Sequence, residues 1–153
     1  MSDAPELVYG TCVALGRTAA LLRGPSGSGK SDLALRFLFV ARRGPAALEA
    51  PILVADDQVL VRRDGRRLLA RAPETIKGKL EVRGVAIVEV KSLVEADLAL
   101  VVDLVPGREV ERLPEEDASA RILGVDLPRV RLSPWETSAP IKLVIALARA
   151  KQS

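Results

Sequence analysis

Eight consecutive residues, Gly24-Pro25-Ser26-Gly27-Ser28-Gly29-Lys30-Ser31, constrain this chain more than any others. They fit a glycine, four free positions and then Gly-Lys-Ser, the pattern of a phosphate-binding loop. The apolar run Ala19-Ala20-Leu21-Leu22 precedes them and Asp32-Leu33-Ala34-Leu35-Arg36-Phe37-Leu38 follows, so the expected order is strand, loop, helix. Glycines at 24, 27 and 29 let the backbone curl with its N–H groups inward, and a helix beginning near Lys30 adds the positive end of its dipole. The expected product is a nucleotide-binding anion hole formed by all eight residues. Lys30 is expected to reach the outer phosphates as a point charge, and the Ser31 hydroxyl to coordinate a Mg²⁺ that bridges them. A flexible Gly/Ser linker is the competing reading. It gives no reason for Lys-Ser to stand in register between a strand and an amphipathic helix.

The 153 residues suit one domain spanning 1–153, and a 48% hydrophobic content supports a folded core. With two Phe, one Tyr and one Trp, that core must be built from Ala, Val, Leu and Ile. The single Cys12 excludes an internal disulfide and any cysteine cluster for a metal, and is expected to act as a small buried hydrophobe. No histidine is present, which removes imidazole bases and histidine-ligated metals. Proton transfer therefore falls to a carboxylate, Lys or Tyr. No apolar run approaches the roughly 20 residues of a membrane span, and the first six residues lack a leader pattern, so a cytoplasmic location and no membrane partner are expected. A net charge of +3 is weak grounds for a nucleic-acid partner. Arg62, Arg63, Arg66, Arg67 and Arg71 surround Asp64-Gly65, a hairpin signal, and read as a solvated turn, with a surface for an anionic partner as the competing reading. No aromatic residues interleave with them to stack bases, so no nucleic acid is expected.

Along the chain, residues 7–15 read as one strand, turning at Gly16-Arg17 into a second at 18–23. The helix after the loop places Ala34, Phe37, Leu38 and Ala41 on one face and is expected to end before Gly44-Pro45. Pro51-Ile52-Leu53-Val54-Ala55 is a strand ending in Asp56-Asp57, and Val59–Arg62 with Arg67–Ala72 form the basic hairpin. A loop or helical turn follows at 73–78, then a strand over 80–90 interrupted at Gly84. Leu98–Val102 is a strand ending in Asp103, residues 107–120 read as exposed, and Pro128–Leu132 as a short strand. Ser138 is a candidate N-cap for a last helix with Ile141, Val144, Ile145 and Ala148 on one face. Two helices serving seven or eight strands predict an α/β fold with a mixed sheet, unlike the regular alternation of most phosphate-loop proteins.

A phosphate loop binds; transfer also needs an acid near the metal and a group that deprotonates the acceptor. Asp56, Asp57 and Asp103 all end apolar strands, although strand-ending Asp residues are often turn formers. Adjacent residues of a strand face opposite ways, so one of Asp56 and Asp57 can address the metal or helix while the other meets an acceptor hydroxyl. Glu81 and Arg83, two apart, are expected on one strand face, as a site pair or an exposed ion pair.

The phosphate loop, Leu53-Val54-Ala55-Asp56-Asp57, Ala72-Pro73-Glu74-Thr75-Ile76-Lys77 and Leu80-Glu81-Val82-Arg83-Gly84-Val85-Ala86-Ile87, in that order, resemble the catalytic domain of the HPr kinase/phosphorylase family. The resemblance covers roughly 7–124 and is to a short form without a separate N-terminal domain. It implies a bifunctional enzyme that phosphorylates a serine of the phosphocarrier HPr with ATP and removes the phosphate by phosphorolysis, yielding pyrophosphate. It also implies a hexamer and a fold akin to the nucleotide domain of phosphoenolpyruvate carboxykinase. By position it makes Asp57 the proton acceptor, and the donor in reverse, with Asp56 supporting it. It leaves Lys30 and Ser31 their phosphate and Mg²⁺ roles, adds Glu81 at the metal, and makes Arg121 a catalytic arginine near the acceptor phosphate.

Two stretches depart from the family pattern. Where the family has a catalytic histidine, 21 residues before the loop lysine, this chain has Tyr9, which can hydrogen-bond a phosphate but carries no imidazole. The family's dephosphorylation-linked C-terminal loop is replaced near Ser133-Pro134-Trp135-Glu136-Thr137-Ser138. Beside the serine kinase, two other readings therefore stand: a nucleotide-sensing module of weak activity, and a phosphate-loop kinase for a small metabolite with 107–120 as its lid.

Overall fold

The computed structural model describes residues 4–40 and 49–151. In chain order these form β1 (Glu6–Tyr9), β2 (Thr11–Leu15), β3 (Thr18–Arg23), α1 (Lys30–Leu38), β4 (Pro51–Ala55), β5 (Gln58–Asp64), β6 (Arg67–Arg71), β7 (Lys79–Val82), β8 (Ala86–Glu89), β9 (Ala96–Leu104), β10 (Ser119–Ile122), β11 (Val125–Leu132) and α2 (Ala139–Lys151), with short helical turns at Glu74–Ile76 and Gly107–Glu109. The expected positions of Ala41 and of the Gly44-Pro45 helix stop lie outside the described residues.

The sheet is mixed, as two helices among many strands require. Its spine runs β4-β2-β3-β9, with β3 parallel to β9 and the β2–β3 hairpin antiparallel. Along its free edge β9 changes partner. Asp97 and Ala96 pair with β6, while Val101–Leu104 pair in parallel with β11. From β6 the sheet continues through β5 to β1. One edge thus carries two departing sheets, so the whole curls.

Strand alternation divides the core by parity. Cys12, Ala14, Ala19 and Leu21 face the hollow closed by β5, β6, β10 and β11, in contact with Val59, Val61, Leu68 and Leu127. Val13, Leu15, Ala20 and Leu22 face the other way, against Leu33, Ala34 and Phe37 of α1 and Leu143 and Leu147 of α2. Small Ala and Val side chains along the spine let both layers approach closely. Cys12 is fully enclosed, and burial pushes its thiol up to about 12, which keeps it protonated and inert.

Four sequence expectations are corrected. The strand over 7–15 is two strands, because Gly10 breaks it: a Cβ there would lie 2.7 Å from the Leu22 carbonyl oxygen. β1 then pairs with β5 while β2 stays in the spine. Residues 80–90 fold back on themselves as a separate β7–β8 hairpin, Glu81 opposite Ile87, so Arg83 falls in the turn rather than on the face of Glu81. A strand missed by its short polar pattern, β10, pairs with a β11 that begins at Val125 rather than Pro128. In α2 the core face is Leu143, Val144 and Leu147, whereas Ile141 and Ile145 are 54% and 55% exposed. The helix is apolar on nearly every side, so periodicity leaves its rotation open; packing on β9 and α1 decides it.

Candidate functional site

Because β4 and β3 run the same way on either side of β2, their C-terminal ends share one edge of the sheet. That edge carries the loop after β3 and Asp56 after β4. Gly27 and Gly29 have φ of 81° and 95°, the left-handed region where glycine is at ease, and α1 starts directly after them. The loop is drawn tight: the Ser28 N–H donates to the Pro25 carbonyl at 3.0 Å, and a Cβ on Gly24 would meet Ser28 Oγ at 2.5 Å. Ser28 Oγ is buried and has no hydrogen-bond partner among the described residues. An unspent hydroxyl in a cradle of glycines at a helix N-terminus suits a phosphate oxygen. Lys30 Nζ is folded onto the loop, donating to the carbonyls of Gly24 at 2.6 Å and Pro25 at 3.0 Å.

Asp56 is the hub of the site. It is buried, and its Oδ1 accepts from Ser31 Oγ at 2.7 Å and from Thr11 Oγ1 at 3.0 Å, while Oδ2 accepts from the backbone N–H of Glu81 at 3.2 Å. One carboxylate therefore ties the phosphate loop, β2 and the β7–β8 hairpin together. With its proton committed to Asp56, Ser31 Oγ has its lone pairs free. The Ser31 hydroxyl, the Asp56 carboxylate and the exposed Glu81 carboxylate are hard oxygen donors of the kind Mg²⁺ takes. No group of three or more Asp, Glu, Cys or His side chains that could hold a metal occurs among the described residues, and Mg²⁺ fits that too: beside phosphates it uses one or two carboxylates and water.

Asp57 is exposed and strained. Its φ is 68°, and the Gln58 N–H donates to the Asp56 carbonyl across it at 2.8 Å, the hydrogen bond of a γ-turn of the rarer hand. The Gly10 N–H holds the Asp57 carbonyl at 3.0 Å. The turn aims the side chain to solvent at the edge where Asp56 points inward. Tyr9, paired in register with Gln58, stands beside it and is 70% exposed.

Not every sequence candidate lies here. Asp103 ends β9 near the loop, but Arg23 holds it with two hydrogen bonds, 2.8 and 3.1 Å, and Arg129 adds an ion pair at 3.5 Å. Arg121 sits opposite Asp126 on the β10–β11 hairpin, bonded to it at 2.9 Å, and draws that carboxyl below its usual range by hydrogen bond and charge. Leu132 marks the loop end of β11, so six residues of strand, roughly 20 Å, separate Asp126 from the phosphate loop. The basic hairpin is also remote, and much of it is engaged: Arg62 with Glu95, Arg67 with Asp97, and Arg63 with the carbonyls of Gly65 and Leu123.

One contributor escaped the sequence reading, Thr11: a lone buried hydroxyl among apolar neighbours was its only signal. The segment 133–136, noted in sequence only as a departure from the family's C-terminal loop, backs the phosphate loop. A Cβ on Gly29 would lie 3.1 Å from Pro134 Cβ and 3.2 Å from Trp135 Cη2, and the Arg36 guanidinium donates to the carbonyls of Pro134 and Glu136.

Comparison with known proteins gives the family and the fold. The chain matches the family described as HPr Serine kinase C-terminal domain over residues 3–152, beyond the 7–124 legible from motifs. It is 37% identical to the HPr kinase/phosphorylase of Chlorobium limicola, over 91% of this chain and 44% of that protein, and 32% identical to that of Alkaliphilus metalliredigens, over 92% and 46%. The chain thus spans less than half the length of these relatives. Its fold is like that of the Hpr(Ser) kinase/phosphatase from Coxiella burnetii, with a TM-score of 0.76 at 19% identity, covering 96% of this chain and 90% of that one.

Proposed function

The chain belongs to the family of HPr serine kinase C-terminal domains, and on that premise we propose that it is an ATP-dependent serine kinase acting on an HPr-type phosphocarrier protein. The observation that carries this reading is the 2.7 Å hydrogen bond from Ser31 to Asp56, which joins the phosphate loop to the strand that delivers Asp57. In the proposed step the triphosphate lies in the loop, and Lys30 leaves the Gly24 and Pro25 carbonyls to donate to its outer oxygens. Asp57 accepts the seryl proton as the serine oxygen bonds to the γ-phosphorus and the bond to ADP breaks. Bound at Ser31 Oγ and Glu81, with Asp56 behind them, Mg²⁺ would neutralise charge on the phosphates. Tyr9, exposed beside Gln58, would hydrogen-bond the phosphorylated product. Arg121, roughly 20 Å away in the same chain by strand length, touches none of these groups.

Phosphorolysis belongs to the same proposal. Inorganic phosphate gives its proton to Asp57 and bonds to the phosphoserine phosphorus, the bond from that phosphorus to the serine oxygen breaks as Asp57 passes the proton to it, and pyrophosphate and free serine are the products. Support comes from the names of the relatives and from Asp57 being open to solvent. Hexameric assembly is carried by resemblance alone, and a cytoplasmic setting by the sequence expectation alone; for the described residues, no helix is long and apolar enough to cross a membrane.

Label transfer from γ-labelled ATP to an HPr-type carrier, with Mg²⁺, tests the kinase. Asp57→Asn is the control, since Asn tolerates the left-handed backbone that residue 57 adopts. Acid-stable phosphoserine is expected with the parent, and a drop of at least about 100-fold with the variant at unchanged ATP affinity. ATP binding without any transfer by the parent would overturn the kinase reading and leave a nucleotide-sensing module.

A further inference from the structure

At the end of the sheet that carries the phosphate loop, β3, β9 and β11 run parallel, so the segments after them leave from one edge. Along that edge the strands stand in the order β4, β2, β3, β9, β11. Asp57 follows β4, the loop follows β3, and the segment 133–136 follows β11. Ligands of such sheets lie outside the carboxyl ends of the strands. A triphosphate seated in the loop with its γ-phosphate toward Asp57 runs its α-phosphate the other way, over β9 and β11. From β3 to β11 is two strand spacings, roughly 10 Å, a span that an α-phosphate and a ribose cover. The nucleobase then arrives at the segment 133–136.

Trp135 stands there. The far edge of its ring, Cη2, packs so closely on Gly29 that a Cβ on that glycine would lie 3.2 Å from it, yet the residue is 65% exposed. A single exposed apolar residue is ordinary on a protein surface. Trp135 differs in its mounting. The Arg36 guanidinium donates to the carbonyls on both sides of it, those of Pro134 and Glu136, and Asp32 holds Arg36 in turn at 2.9 Å. The Glu136 N–H donates to the Ser133 carbonyl at 3.4 Å, closing the turn that presents the ring, and Ser133 itself is buried. A flat ligand that stacks on a ring already held in place meets little ordering cost.

We propose that Trp135 is the platform on which the base of the nucleotide stacks. This rests on the phosphate-loop reading above and divides the recognition in two: the loop and Lys30 take the phosphates, and Trp135 takes the base. Every base has a π-face, so the platform favours a nucleoside triphosphate over a bare polyphosphate.

Calorimetric titration of the full chain with ATP and with inorganic tripolyphosphate, both with Mg²⁺, tests this. Trp135→Ala is expected to weaken ATP by about tenfold or more and tripolyphosphate by less than about twofold. Trp135→Phe, which keeps a ring face, should stay within about threefold of the parent for ATP. Trp135→Leu, which keeps apolar cover over Gly29 without a ring, should lose as much as the alanine variant. Unfolding midpoints show which variants are folded, and should Trp135→Ala fail to fold, the Phe and Leu variants decide between them. Full ATP affinity in the folded Ala or Leu variant, or equal weakening of ATP and tripolyphosphate, would overturn the platform and leave the phosphate loop standing. A parent that binds neither ligand would overturn the phosphate-loop reading, and the platform with it.

Discussion

Asp56 accepts three hydrogen bonds in a buried position, while its neighbour Asp57 is exposed on a backbone that non-glycine residues seldom adopt. The difference arises from one γ-turn: it ends β4, turns one carboxylate in and the other out, and stays in place because Gly10 and Gln58 hydrogen-bond across it. Strain of this kind, of order 1–3 kcal/mol, persists where surrounding structure over-determines it. The inward carboxylate is then a structural joint as well as a site residue. Thr11→Val, close to isosteric, removes one of its three donors, and a loss of about 1–3 kcal/mol is expected, read as a fall of several degrees in thermal midpoint. An unchanged midpoint would mean that Ser31 and the Glu81 amide hold Asp56 without help. The pair Asp56-Asp57 was visible in sequence as two acids after an apolar strand. Thr11 was not, because a threonine in a strand is ordinary until its burial is known.

Strand breaks position the site at the next scale. Gly10 lets β1 leave the spine and join β5, which brings Tyr9 beside Gln58 and places an N–H under the Asp57 carbonyl. Its φ is 155° and its missing Cβ would lie 2.7 Å from Leu22 O and 2.8 Å from Leu21 Cδ1. Gly10→Ala should therefore cost roughly 2 kcal/mol or more, seen as a lower denaturant midpoint with an unchanged slope. A variant as stable as the parent would show that β1 can shift away, and would undercut Gly10 as the reason for the break. The β7–β8 hairpin has a similar part. Gly84, at φ 83°, sits in a turn that folds one apparent strand back on itself, so that the Glu81 amide reaches Asp56 and its side chain stays exposed at the loop. Sequence marked Gly84 as an interruption but ran one strand through Gly10, and only pairing partners could say which way the chain went after either.

Over the whole molecule, segments distant in sequence converge on the phosphate loop. The 133–136 segment reaches it from the end of β11, and Arg36 fastens the two together through the Pro134 and Glu136 carbonyls. Trp135 is the only tryptophan, lies against Gly29 and is largely exposed, so its fluorescence should report the loop. Adding ATP is expected to change Trp135 emission saturably, with the change lost in Lys30→Ala; emission indifferent to bound nucleotide would contradict the contact. The sequence by itself determined the phosphate loop, the strand before it and helix after it, the acids at 56 and 57, and a mixed sheet. Those features are local: glycine spacing, hydrophobic runs and residue chemistry act within a few positions of one another. Tertiary structure alone decided that Asp56 turns inward to Ser31 and Thr11, that Arg121 lies at the far end of β11, which face of α2 is buried, and that β9 shares one edge between β6 and β11. Each of these depends on which strands pair and how the sheet curls, and pairing energies are settled between residues tens of positions apart, where no local pattern carries the choice.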